Sequence, residues 1–132
     1  MHTLTIVRNA IQTPDGTILR SRSLYDYQSH LDTVSGETYG VVGGNKYLSH
    51  SVNIVPFVDM TVTSEDSFEV QREAFEWGCY GIDGTEYIYY IKLMDLSSIH
   101  LYAILKTQTK LKGTYTEYLL KEEVAHRLLN KE

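Results

Sequence analysis

The hydrophobic period differs between the two ends of this chain, and that difference constrains the fold more than any other feature. Up to residue 63 apolar and polar residues alternate, which is the pattern of half-buried strands. Leu4 and Ile6 alternate with Thr3 and Thr5, and Val58, Met60 and Val62 with Asp59 and Thr61. Turn formers punctuate the runs: Pro14-Asp15-Gly16, Val34-Ser35-Gly36-Glu37 and Gly43-Gly44-Asn45. There proline presets one dihedral and glycine accepts a positive one. Residues 17–22, 25–28 and 38–42 read as short strands between them, and Tyr47-Leu48 leads towards Ser51-Val52-Asn53. From 95 to 130 the spacing becomes helical, with Leu96, Ile99, Ala103 and Ile104 before Gly113, and Leu120, Val124 and Leu128 after it. Ser97 or Asp95 can cap the first of these helices, and Thr114-Tyr115-Thr116-Glu117 is a capping box for the second.

The middle of the chain is mixed. Ser64-Glu65-Asp66 resembles a helix start, and Phe68 and Phe75 lie seven residues apart, although Phe68 and Val70 also alternate. A short helix at 65–76 is the favoured reading. Trp77-Gly78-Cys79-Tyr80-Gly81 breaks it, and 86–93 reads as a strand after the Asp83-Gly84 turn. With strands first and helices last, the expected fold is α+β, an N-terminal antiparallel β-sheet followed by a C-terminal helical hairpin. A length of 132 residues suits a single domain over 1–132, with 1–93 mainly β and 95–130 forming two helices.

Charge and cysteine content narrow the partners. Seventeen acids against twelve bases give a net charge of −5, which argues against bulk nucleic-acid binding. Cys79 is the one cysteine, so an internal disulfide is impossible and a reducing compartment is expected. No apolar run approaches the roughly 20 residues that span a bilayer, and the first residues lack a secretory leader. The expectation is a cytoplasmic protein without a membrane partner.

Motifs for catalysis are sparse. Gly43-Gly44 is followed by Asn45-Lys46-Tyr47, not by the lysine and hydroxyl of a P-loop, and there is no GxGxxG. Gly78, Gly81 and Gly84 read as turn glycines. His2, His30, His50, His100 and His126 are scattered, so no metal site is expected. Cys79 reads as a small core residue, and no serine sits in a nucleophile elbow. The expectation is a protein that is not an enzyme and carries no cofactor.

Arginine offers the remaining chemistry, because a guanidinium matches two phosphate oxygens. Arg20 and Arg22 alternate on one strand and share a face. Arg72 precedes Trp77 by five residues, and with Tyr80 this places a cation and two aromatic rings in one stretch, a set suited to a nucleotide. The alternative is a surface arginine beside a core tryptophan. Arg127 follows Glu123 by four, the spacing of a helical ion pair. Eleven tyrosines suit either a half-wet sheet or a binding surface.

The string Val7-Arg8-Asn9-Ala10-Ile11-Gln12-Thr13-Pro14-Asp15-Gly16-Thr17-Ile18-Leu19-Arg20-Ser21-Arg22 resembles the opening of a family of small tailed-phage proteins. The likeness continues, in order, through Asp26-Tyr27, Gly43-Gly44, Tyr47-Leu48, Ser51-Val52-Asn53, residues 72–81 and Ile99-His100. That family resembles the phage anti-defence proteins that counter the Thoeris system by binding and sequestering cyclic ADP-ribose isomers made by TIR-domain enzymes. The resemblance implies a non-catalytic sponge in the host bacterial cytoplasm, assembled as a homodimer or higher homo-oligomer, with a cyclic nucleotide as ligand. On that reading Arg72 grips pyrophosphate, Trp77 or Tyr80 stacks on adenine, and Asp26 or Asp83 accepts from ribose hydroxyls. Arg127 closes the site, and Arg20 and Arg22 supply further charge. The chain departs from the family's pattern at Ser23-Leu24-Tyr25 and Ser49-His50, where basic residues are expected. Two other classes stay open: a protein–protein inhibitor or assembly module, and a small nucleotide hydrolase built on His30, His50 and Asp26.

Overall fold

The computed structural model describes residues 4–51, 56–79 and 88–130. The chain is α+β, antiparallel strands followed by helices. It divides into two compact units, Met1–Ser67 and Phe68–Glu132.

The first unit is built on β1 (Ile6–Gln12). Asn9, Ala10 and Ile11 are all buried, so both faces of this strand are covered. β1 pairs antiparallel with β2 (Ile18–Ser21), Ile11 facing Leu19. Along its other edge it pairs with β6 (Val58–Asp59) and β7 (Val62–Thr63). A second antiparallel sheet has the order β3 (Gln28–Leu31), β4 (Thr38–Val42), β5 (Ser49–Ser51). Ile11, Leu19, Tyr39 and Val41 join the two sheets in one core, with Phe57 against it. The 25–28 run is a strand only at its last residue. Asp26 instead closes a turn, its amide donating to Ser23 O at 3.0 Å.

The 43–47 loop is held by buried polar atoms. The Asn9 side-chain amide donates to Val42 O, Gly44 O and Tyr47 O, at 3.0, 3.1 and 3.2 Å. Ser21 Oγ accepts from the Gly44 amide at 2.9 Å. Gly44 has φ +53°, and a Cβ there would sit 2.4 Å from the Ser23 carbonyl carbon. Only glycine satisfies both the dihedral and the close approach.

The second unit opens with α1 (Phe68–Ala74), shorter than the 65–76 expected. The antiparallel hairpin of β8 (Glu76–Cys79) and β9 (Tyr89–Lys92) follows, and then a 3-10 turn, Leu93–Asp95. α2 (Ser98–Thr107) and α3 (Tyr115–Asn130) pack as a hairpin. Ser97 caps α2, its hydroxyl accepting from the His100 amide at 3.1 Å. Thr114 Oγ1 accepts from the Glu117 amide, while Glu117 Oε1 reaches back to the Gly113 amide rather than to Thr114.

The buried set differs from the expected stripes. The core is Leu93, Leu96, Leu101, Ile104, Leu119 and Leu120. Ile99, Ala103 and Leu128 are exposed. Leu96, Ile104 and Leu120 of the expected stripes do enter the core, and Val124 packs against it. The inward turn of α2 runs through Leu101 and Ile104. On α3 the buried row continues from Leu119 and Leu120 to a charged residue, Glu123.

Candidate functional site

Each unit holds one dense polar centre. In the first it lies where two hairpin turns meet. The β1–β2 turn closes with the Gly16 amide donating to Thr13 O at 2.9 Å and with Gly16 at φ +93°. It presents Asp15, whose Oδ1 accepts from Thr13 Oγ1 at 2.8 Å and from the Thr17 amide at 3.0 Å. The β3–β4 turn presents Asp32, which is fully buried. Asp32 Oδ1 accepts from the Asp15 amide at 2.8 Å and Oδ2 from the Ser35 amide. In return Asp15 Oδ2 accepts from the Thr33 amide at 2.9 Å and meets His30 Nε2 at 2.7 Å.

Each turn's carboxylate therefore satisfies the other turn's backbone. The His30 hydrogen bond and the Thr33 amide hold Asp15 far below the usual carboxylate range. Burial pushes Asp32 up, but the Ser35 amide and hydroxyl and the Asp15 amide outweigh it, so its carboxyl is also lowered. Asp15, His30 and Asp32 bring one metal-ligand atom each within 4.8 Å of one another. Every carboxylate oxygen in the group, however, already accepts from an N–H or O–H. Those hydrogen bonds stabilise both carboxylates in their ionised form.

In the second unit the centre is Glu123, which has no solvent exposure. Arg72 of α1 forms a two-point bridge to it, Nε to Oε1 and Nη2 to Oε2, both at 2.8 Å. Arg127, one turn along α3, donates from Nε to Oε2 at 2.7 Å. Its Nη1 donates to Ser98 Oγ at 3.1 Å and its Nη2 to Leu93 O at 3.2 Å. Burial pushes the Glu123 carboxyl up, the two arginines push it down, and the arginines win. Beside this group Tyr115 Oη donates to Gln71 Oε1 at 2.7 Å. The centre ties α1, the 3-10 turn, α2 and α3 together.

The structure places the expected site residues as follows. Arg72 and Arg127 come together, bridged by Glu123 instead of standing open to a phosphate. Trp77 lies on β8, half-buried against the helical core, the position of the alternative reading. Tyr80 and Asp83 lie outside the described residues. Arg20 is half-buried on β2 and Arg22 is exposed just after it. Asp26 Oδ2 accepts from the Arg22 amide at 2.9 Å and Oδ1 from Gln28 Nε2, so this carboxylate shapes the turn that displays Arg22. Tyr25, on the same turn, is 88% exposed. Cys79 is buried, and burial pushes its thiol up, away from nucleophilic chemistry.

Two features escaped the sequence. The Arg72–Glu123 bridge spans 51 residues, and only the Glu123–Arg127 half carried a spacing signal. The Asp15–His30 contact spans 15. Its trace is a pair of Asp-containing turns, each of which explains itself locally. No family model matches the chain, and neither a curated protein nor a solved structure does. Among the described residues no helix is long and apolar enough to cross a membrane.

Proposed function

We propose that this chain is a non-catalytic phage anti-defence protein that sequesters a cyclic nucleotide immune signal of the cyclic ADP-ribose type in the host bacterial cytoplasm. The reading rests on the resemblance of residues 7–22, 72–81 and the blocks between them to the phage family. Strands followed by a helical hairpin are also the layout that family implies.

On this reading the proposed residues divide the labour. Arg72 and Arg127 spend their donors on Glu123, Ser98 and Leu93, so they act by positioning the helices. Arg22 and Tyr25 are both exposed on the turn that Asp26 shapes. A guanidinium and a tyrosine three residues apart suit phosphate and base respectively. Arg20 adds charge from the adjoining strand, and Trp77 offers a partly open ring. A second copy of the chain is the expected partner in assembly.

A thermal-shift screen against cyclic ADP-ribose isomers, cyclic di- and trinucleotides, ADP-ribose and NAD tests the reading. Ligand at 100 times its Kd stabilises the fold by about 2.7 kcal/mol, several degrees in Tm. A shift with a cyclised ADP-ribose, with the ligand recovered intact after heating, supports sequestration. Recovery of hydrolysed product means an enzyme instead, and no shift with any nucleotide overturns the proposal.

A further inference from the structure

Helix α2 is apolar on two sides. Leu101 and Ile104 enter the core. On the outer side Ile99 is 84% and Tyr102 51% exposed, with Ala103 and Lys106 exposed beside them. Positions 99, 102, 103 and 106 follow the i, i+3, i+4, i+7 spacing of one helix face. This face is about 10 Å long.

Lys106 stands at the C-terminal end of this face, and two more lysines follow closely in the chain. Lys106, Lys110 and Lys112 are all exposed, and residues 96–116 contain no acid. Favourable interaction with the helix carbonyl end accounts for Lys106 alone, since the other two lie beyond α2. They are displayed on a hydrogen-bonded turn. The Leu111 amide donates to Gln108 O at 3.0 Å, the Lys112 amide to Thr109 O at 3.2 Å and the Thr114 amide to Leu111 O at 2.9 Å. Glu117, the nearest following acid, is occupied by the Gly113 amide and by Lys121.

We propose that this face docks an acidic amphipathic segment of another protein, its apolar side chains on Ile99 and Tyr102 and its carboxylates on Lys106, Lys110 and Lys112. Charge complementarity selects the occupant. The chain's net charge is −5, so without these three lysines the remainder carries −8. Screening acts over about 8 Å at physiological salt, so a compact acidic segment feels the lysines. A nucleic-acid tract or an anionic membrane extends past them onto the acidic remainder. A nucleic acid could stack on Tyr102 but has no use for Ile99, whereas an amphipathic helix lays leucines along both.

The probe is a synthetic peptide of leucine and glutamate with leucines at helical spacing, titrated by fluorescence anisotropy against the full-length protein. Binding is expected, and it weakens as salt rises. Ile99→Ser with Tyr102→Ser is expected to weaken it about tenfold or more. Lys106→Glu, Lys110→Glu and Lys112→Glu together are expected to do the same. Both variants change exposed side chains, so an unaltered Tm and an unaltered response to cyclic nucleotides are expected beside the loss. Failure of the peptide to bind, equal binding of its scrambled version, or tighter binding of oligothymidylate or phosphatidylserine vesicles overturns the proposal. So does an oligomer that Ile99→Ser disperses, since the face then belongs to a second copy.

Discussion

In the first unit the carboxylates of Asp15 and Asp32 are held largely by backbone amides of two neighbouring turns. In the second the carboxylate of Glu123 is held by two guanidinium groups, one of them from another helix. Both arrangements keep an acid ionised away from water, but they fail differently. A turn carboxylate that is lost leaves neutral N–H groups short of an acceptor. A buried glutamate that is lost leaves two cations facing each other with nothing between them. The first centre is cheap to break and sensitive to acid, while the second is costly to break and tied to packing.

Removal of Glu123 gives the largest expected effect. Glu123→Ala strips the shared anion from Arg72 and Arg127, and one-sided loss of a buried pair costs about 3–5 kcal/mol. Chemical denaturation checks this. A loss comparable to that of an exposed ion pair would erase the contrast between the two centres. Gly44→Ala comes next. A methyl group at φ +53° must displace the Ser23 backbone, and overpacking of this kind costs about 1–3 kcal/mol. An unchanged midpoint would mean that the 43–47 loop yields freely.

The smallest expected effect at neutral pH, and the sharpest in its pH dependence, comes from Asp15→Asn and Asp32→Asn. Both carboxyls are lowered in the folded state from the ordinary value of 3.8. Their stabilisation is therefore complete above that value and is shed as pH falls through it toward the folded-state values. Melting curves of the parent protein from neutrality into acid should decline in that window. The double variant should be flatter there, and parallel profiles would show that the turn carboxylates do not set the acid response.

Much of this architecture could be read from residue order. The Pro14-Asp15-Gly16 and Ser35-Gly36 turns, the Ser97 and Thr114 caps and the switch from strand to helix depend on neighbours within a few residues. Helix phase was less legible: Ile99 and Leu128 fit the apolar spacing yet face outward, because spacing alone does not say where the helix begins or which side meets a partner. The candidate site was legible in part. Arg22 and Asp26 lie on one short turn, four residues apart, and local chemistry relates them. For Arg72 composition and order offered a phosphate ligand, and the fold offered Glu123.

The amino-acid order by itself determined the α+β layout, the turn positions, the charge balance and the pairing of Glu123 with Arg127, since each rests on dihedral preferences and contacts within one element. Only the tertiary structure decided that Arg72 completes that pair, that Asp15 and Asp32 clasp each other's turns, and that Ile99 faces outward. Those outcomes depend on which distant surfaces exclude water together, and a buried charge takes whichever opposite charge the packing brings to it.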